Sequence, residues 1–427
     1  MFSLMLASEN MVFSIALVLM LMIAVLEGVA ALFGAGMSSA LESLLPESEL
    51  NPHTEVGQIE ADTALSRFLG WLRIGEVPIL MLLVIFLLCF SLLGLAQLLL
   101  QALLAENIVV RAALSDLTAQ TDAGVIALSA GAMLIQAGSQ LQPDWFSKLD
   151  KIQRQFSIPL YAITTGLSAN GIDLGSPKFA VMNLPKVLLI AGPGVNSTEA
   201  GEAWYNLERL AGISPTLAEP QRLKKLDLSR YTHIILPDGN YNSWQEAEIS
   251  QLKNWAEQGG ILWGHKDGAA WLAKAGLLKA AVWTNDEMKS LISSDNLRYQ
   301  DKELLAGRQR IAGAIYQAEL DLSHPLAFGF TKAGLPLFKN SIVLLQPSST
   351  PFTNVALYSE QPQLAGYTAV EYVPRISQSA ALLAHNLGKG RVIAMTDNPV
   401  FRGYFYGSSR LLVNALYLGA SFSTAAD

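Results

Sequence analysis

Two long apolar stretches near the start constrain what this chain can fold into. The first is "MVFSIALVLMLMIAVLEGVAALFG", residues 11–34. The second is "VPILMLLVIFLLCFSLLGLAQLLLQALLA", residues 77–105. Each exceeds the roughly 20 apolar residues a helix needs to cross a bilayer. The sequence therefore predicts two transmembrane helices, 11–34 and 77–105, joined by an acidic loop. No Lys or Arg precedes the first run, which argues against a cleaved signal peptide. Pro78 suits the first turn of the second helix. Glu27 lies inside the first run, either close to the end of the span or facing a partner helix or protein. The loop, 42–76, carries Arg67 and Arg73, while the N-terminal tail has no basic residue. Basic residues favour the inner side, so both ends of this anchor are expected outside.

The rest of the chain differs. Of the 427 residues, 51% are hydrophobic, and the excess lies before residue 106. A chain of this length is expected to hold two or three parts. The boundaries read as 1–105 for the anchor, 106–180 for a small α/β segment and 181–427 for the main globular domain. The net charge is −7, with no basic block or basic-aromatic stripe, so nucleic acid is not an expected partner. The single cysteine, Cys89, lies in the second apolar run, which leaves no intrachain disulfide and no cysteine-rich zinc site.

From residue 106 onward, short β-like runs alternate with helical stretches. Strands are predicted within 123–133, 158–167, 186–194, 232–241, 259–264 and 390–399. Helices are predicted over 199–212, 245–260 and 408–421, the first two closed by glycine. This alternation predicts a parallel sheet with right-handed crossovers. Sites in such sheets lie at the carboxyl ends of the strands. The turns at 192–196, 237–241, 264–268 and 397–402 should then share one edge.

The turn Gly264-His265-Lys266-Asp267-Gly268 has the spacing of a nucleophile elbow with lysine in the middle. Lys266 is a weak catalytic candidate, as an amine whose pKa burial lowers, with His265 and Asp267 to move protons. Alternatively the turn only joins strand to helix, its glycines serving backbone geometry. Asp397, Asn398 and Arg402 in "TDNPVFRGYFYG" are candidate ligand-binding residues for a carboxylate or sugar. Alternatively they cap the loop, with Arg402 paired to Asp397 or Asp238. Asp238, in "LPDGNY", is a ligand-binding candidate and also a turn former. "AGPGVNSTEAG" (191–201) has the form of a capped strand-to-helix turn, with Ser197 or Thr198 as the cap. It lacks P-loop and dinucleotide spacing, and Glu199 and Glu202 would repel an anion there. His324 before Pro325 reads as a turn residue, and Trp204, Trp255 and Trp271 as packing residues. No cofactor or metal is expected.

Three resemblances add to this. "VLEGVAALFGAGMSSAL" (25–41) and "LRIGEVPILMLLVIFLL" (72–88) resemble the anchor of a bacterial inner-membrane family. That family is related to NfeD, has an OB-fold domain and is encoded beside flotillin-like proteins. The resemblance implies a multi-pass inner-membrane protein with a flotillin-like partner, and the basic-residue balance of the anchor sets the expectation of a periplasmic globular domain. The strand–turn–helix arrangement resembles the flavodoxin-like class I glutamine amidotransferase fold, in which a cysteine occupies the elbow that Lys266 fills here. Without that cysteine the thioester route to glutamine hydrolysis is closed. Finally, "TTGLSANGIDLGSPKFA" (164–180), "LIAGPGVNSTEAGEAWYNLE" (189–208), "LSRYTHIILPDGNY" (228–241), "HPLAFGF" (324–330) and "MTDNPVFRGYFYGSSRLLVNALYLG" (395–419) occur in order. Together they resemble the amidotransferase-like C-terminal domain of large bacterial zinc carboxypeptidases of the carboxypeptidase A type. That family binds zinc through a His-x-x-Glu pair. None of the five histidines here, His53, His233, His265, His324 and His385, has Glu three residues later. The implied protein is a membrane-anchored, non-catalytic amidotransferase-like domain that binds a small ligand or a protein. The alternative is a peptidase-associated protein.

Overall fold

The computed structural model describes residues 98–113, 117–121, 124–128, 132–158, 160–176 and 178–422. The expected span 11–34 and residues 77–97 of the expected span 77–105 lie outside the described residues. The chain divides into two units, 1–103 with 144–160, and 104–143 with 161–427. In the first unit, α1 (Trp145–Phe156) buries Leu149 and Ile152 and ends at Ser157 in the left-handed conformation. Two pairs one turn apart, Lys148–Asp144 and Arg154–Asp150, lie on α1 at 3.3 and 2.7 Å.

The second unit begins with short strands: β1 (Val110–Ala113), β2 (Leu117–Thr121), β3 (Gly124–Leu128), β4 (Met133–Leu134) and β5 (Phe179–Met182). Antiparallel pairing sets β1 between β4 and β5, and β2 against β3. The expected strand over 158–167 does not form; those described residues are irregular.

The main sheet has eleven strands. Its first four are β6 (Val187–Ile190), β7 (Thr216–Ala218), β8 (His233–Leu236) and β9 (Ile261–His265). Six follow: β10 (Val282–Trp283), β11 (Ala314–Leu320), β12 (Gly334–Lys339), β13 (Leu344–Leu345), β14 (Asn354–Gly366) and β15 (Ala380–Leu387). The last is β16 (Gly390–Met395). The spatial order is β12-β11-β14-β15-β16-β9-β8-β6-β7, with β13 pairing both β10 and β15. Parallel pairing joins only β7, β6, β8, β9 and β16. The helices of this unit are α2 (Ser197–Arg209), α3 (Glu246–Glu257), α4 (Asp267–Lys274), α5 (Asn285–Ser290), α6 (Lys302–Arg308), α7 (Val373–Ile376) and α8 (Tyr406–Leu418).

This corrects the expected fold class, a parallel flavodoxin-like or class I glutamine amidotransferase-like sheet preceded by two transmembrane helices. The sheet is mixed. Among the described residues no helix is long and apolar enough to cross a membrane. The physical reason for the mixing is in the segment between β9 and β16. "AIYQAEL" and "GLPLFK" alternate inward and outward residues: Ala314, Tyr316, Ala318 and Leu320 are buried on β11, and Leu335, Leu337 and Lys339 on β12. Such strands keep one face toward solvent, which suits antiparallel pairing. β6, β8 and β9 are buried throughout, as parallel strands covered on both faces must be.

Within the parallel part, β6 lies between β7 and β8, so the winding reverses there. A crevice opens at the carboxyl ends of the strands at such a reversal. The core beneath it includes Leu188, Ile190, Leu236, Leu262, Val392 and Ala394. Each fully buried Leu, Ile or Val contributes about 1.5–3 kcal/mol relative to exposure. Tyr241, Trp244 and Trp271 pack ring to ring at 5.0–5.9 Å. The Trp244 indole donates to the Pro220 carbonyl at 2.8 Å. Trp271 is buried as expected, whereas Trp204 is 43% exposed.

The turn after β9 leaves no room for side chains at its two glycines. A Cβ on Gly268 would lie 2.3 Å from the Leu236 carbonyl oxygen, and one on Gly264 would lie 2.9 Å from the Gly268 carbonyl carbon. Gly268→Ala should therefore cost the full chain about 1–3 kcal/mol by overpacking. Urea unfolding in detergent measures this, and an unchanged midpoint would show that the turn relaxes freely.

Candidate functional site

The four turns that sequence spacing assigns to one edge are brought together. After β6, Gly192 and Gly194 adopt positive φ (113° and 92°), and Asn196 caps α2 by accepting from the Thr198 and Glu199 amides. Asn196, and not Ser197 or Thr198, is the cap. The Asn196 amide donates to the Asp238 carbonyl oxygen at 2.8 Å. That contact ties the β6 turn to the β8 turn.

Lys266 follows β9 with φ 51° and ψ −120°. A non-glycine residue held there costs on the order of 1–3 kcal/mol. Its amide donates to the Met395 carbonyl at the end of β16, at 3.0 Å. The strained backbone aims the side chain into the edge, where Nζ donates to Glu199 Oε1 and, at 3.1 Å, to Asp238 Oδ2. Asp238 also accepts from Asn196 Nδ2 at 3.3 Å and from the Asp267 amide at 3.4 Å. His265 is fully buried. Its Nε2 lies 3.5 Å from Glu199 Oε2, ion-pair range but too long for a good hydrogen bond, and its Nδ1 accepts from the Trp263 indole at 3.3 Å.

Charge follows from this arrangement. Burial pushes the Glu199 carboxyl up, but His265 and Lys266 outweigh it and hold its pKa below the ordinary value. Burial works to lower the Lys266 pKa, and Glu199 with Asp238 overcomes it, so the pKa rises above that of a free lysine. Lys266 is thus a held ammonium, the opposite of a burial-activated amine. Asp267 is raised, by burial first and then by Asp238.

A second network lies under the end of β16. Lys339 Nζ, on β12, donates to Asp397 Oδ1 and to the Val343 carbonyl, both at 3.0 Å. The Tyr358 hydroxyl donates to Asp397 Oδ2, and lies 3.1 Å from Thr396 Oγ1. Burial pulls the Lys339 pKa down, and Asp397 only partly offsets it. Asn398 Nδ2 donates to Glu202 Oε2 at 2.5 Å. Burial raises the Glu202 carboxyl despite that bond and one from the Arg402 backbone. Arg402 itself is exposed with φ 51°, its guanidinium 5.3 Å from the Phe401 ring centre. It forms no ion pair with Asp397 or Asp238.

Asp238, Lys266 and Asp267 thus meet around one crevice, with His265 fully buried behind them. Asp397 and Asn398 are buried behind it and committed to Lys339, Tyr358 and Glu202. Sequence inspection missed the site roles of Glu199, Lys339 and Tyr358. Two of them carried a signal. Lys339 is in phase with buried Leu335 and Leu337 on β12, and Glu199 shares the α2 stripe of Ala203 and Leu207. His324 caps a short turn by accepting from the Leu326 amide at 3.1 Å. Burial pushes His233, His324 and His385 down to about 4, so all three are neutral at physiological pH. Among the described residues no group of three His, Cys, Asp or Glu side chains could hold a metal. An open pocket of about 270 Å³ lies beside Lys266, lined also by Asp238, Asp267, Lys289 and Arg310.

Residues 10–130 match the family described as inner membrane protein YqiJ, N-terminal. This part of the chain is therefore similar to a bacterial inner-membrane protein. No curated protein matches the chain. Among solved structures, a protein described as ThuA-like from Bacteroides uniformis ATCC 8492 aligns with 15% identity and a TM-score of 0.34. It covers 54% of this chain and 89% of that one. A protein described as a GMP synthase component from Thermoplasma acidophilum aligns with 13% identity and a TM-score of 0.32, covering 54% and 94%. The β-galactosidase of Bacillus circulans sp. alkalophilus aligns with 12% identity and a TM-score of 0.29, covering 62% and 34%. Likenesses this weak carry no statement about activity.

Replacing Lys266 by Met removes the ammonium that Glu199 and Asp238 share. The expected loss at pH 7 is about 3–5 kcal/mol of stability. A carboxyl with a lowered folded pKa stabilises above its unfolded value, 4.5 for Glu199, and that contribution is lost as pH falls through the folded value. Lys266→Met removes the cation that helps hold the pKa down. The gap between wild type and variant should therefore narrow from pH 7 toward pH 4. Urea unfolding at both pH values checks this, and a gap that widened on acidification would contradict the ion-pair assignment.

Proposed function

We propose that this chain is an inner-membrane-associated binding protein whose α/β domain has no catalytic nucleophile. One observation carries this: Lys266 occupies the elbow position of a nucleophile but is held as an ammonium between Glu199 and Asp238. The crevice beside it remains open to a ligand. The similarity of residues 10–130 to an inner-membrane protein domain supports the location. The basic residues Arg67 and Arg73, against a basic-free N-terminal tail, support a periplasmic position for the globular domain.

The five motifs between 164 and 419 support kinship with zinc carboxypeptidase tails, and with it a role beside a peptidase. The segment 25–88 supports a flotillin-like partner through its resemblance to the NfeD-related anchor. Pull-down of the full chain and of a chain lacking residues 1–105 tests that partner, and capture unaffected by the truncation would count against it.

The non-catalytic assignment has a direct test. Purified full chain incubated with zinc and peptides should bind no stoichiometric zinc and trim no C-terminal residue. Stoichiometric zinc together with C-terminal trimming would sink it.

A further inference from the structure

The pocket beside Lys266 is built from two chain segments of opposite charge. One wall comes from the strand ends: Asp238 after β8 and Asp267 at the start of α4. The other comes from the segment between β9 and β16: Lys289 on α5 and Arg310 just beyond α6. On the acidic wall a single ammonium, Lys266, is shared by Glu199 and Asp238, so with Asp267 the carboxylates outnumber it. The Asp267 carboxylate accepts no hydrogen bond among the described residues. Nor does Lys289 or Arg310 have an ion-pair partner there. Asp267 feels the attraction of Lys266 and Lys274 without an ion-pair contact among the described residues, and the charges on the two walls are not paired with one another.

A lone anion in this pocket would meet Asp267 and Asp238, and a lone cation would meet Lys289 and Arg310. Each would gain from one wall and lose to the other. A ligand carrying both charges gains from both walls. Gln309 and Asn285 on the same lining add amide donors and acceptors. The volume, about 270 Å³, falls just under the roughly 300–1,000 Å³ typical of larger ligands, which favours a small molecule. Resting on the binding role proposed above, we propose that this pocket takes a small zwitterion. Its ammonium lies against Asp267 and Asp238, and its phosphate or carboxylate against Arg310 and Lys289. Such a group can come from a soluble metabolite or from an ethanolamine lipid headgroup.

Calorimetry on the full chain in detergent tests this with four probes: O-phosphoethanolamine, L-alanine, ethanolamine and methyl phosphate. At least one of the two zwitterions should bind, and ethanolamine and methyl phosphate should each bind about tenfold or more weakly than it, since each loses one charged contact. Arg310→Gln should weaken the zwitterion about tenfold, while ethanolamine binds no worse. Asp267→Asn should weaken the zwitterion while methyl phosphate binds no worse. Repeating the phosphoethanolamine titration in nanodiscs identifies the source. Loss of signal in phosphatidylethanolamine discs but not in phosphatidylglycerol discs assigns the lipid headgroup, and equal signals assign a soluble zwitterion. Methyl phosphate or ethanolamine binding as tightly as the zwitterions would overturn the proposal, as would silence from all four probes. Neither result touches the non-catalytic role, which falls only on zinc uptake with peptide trimming.

Discussion

The ion triad of Lys266, Glu199 and Asp238 is the interaction on which the site depends. Its three members come from the β9 turn, α2 and the β8 turn, so the charges link three loops of the sheet edge. The lysine sits in a backbone conformation that costs energy, and the Glu199 carboxylate is desolvated. Neither cost is offset unless all three groups meet. A buried cation held by one buried and one part-exposed carboxylate specifies one arrangement of loops, because any other leaves an unpaired charge in a low-dielectric setting.

Around that triad the edge is layered. Immediately behind it, Asp397 is saturated by Lys339 and Tyr358, and Asn398 by Glu202. These contacts lock the end of β16 to β12, β14 and α2, far apart in sequence. In front of the triad the pattern reverses, and Asp267, Lys289 and Arg310 keep unused charge facing the pocket. Paired charges behind and charges facing the pocket in front are what a rigid support under a binding surface requires, with the long Glu199–His265 contact left without a hydrogen bond inside.

Much of the local structure from 186 to 274 was legible in the sequence. Continuous apolar runs ending in glycine marked β6, β8 and β9, and period-3.6 stretches marked α2 and α3. The elbow glycines were legible too: a Cβ on Gly268 would strike Leu236, and one on Gly264 would strike Leu272 and Gly268. The mixed sheet was less visible. Its antiparallel half lies in a long segment of short alternating runs, where pairing partners are set by distant chain. Lys339 shows the difficulty: its phase on β12 marks it as inward, but nothing local says that Asp397 waits 58 residues later.

By itself the sequence determined the character of the elbow: glycines at its ends, lysine at its centre, and the chain's sole cysteine far away at residue 89. Those facts are compositional and survive any fold. The role of the lysine was decided only by tertiary structure. Burial alone would have lowered its pKa and made it a reactive amine. Two carboxylates from other loops, brought within hydrogen-bonding distance, reversed the sign and fixed it as a charge. Long-range electrostatics of that kind depends on distances that periodicity and spacing do not encode.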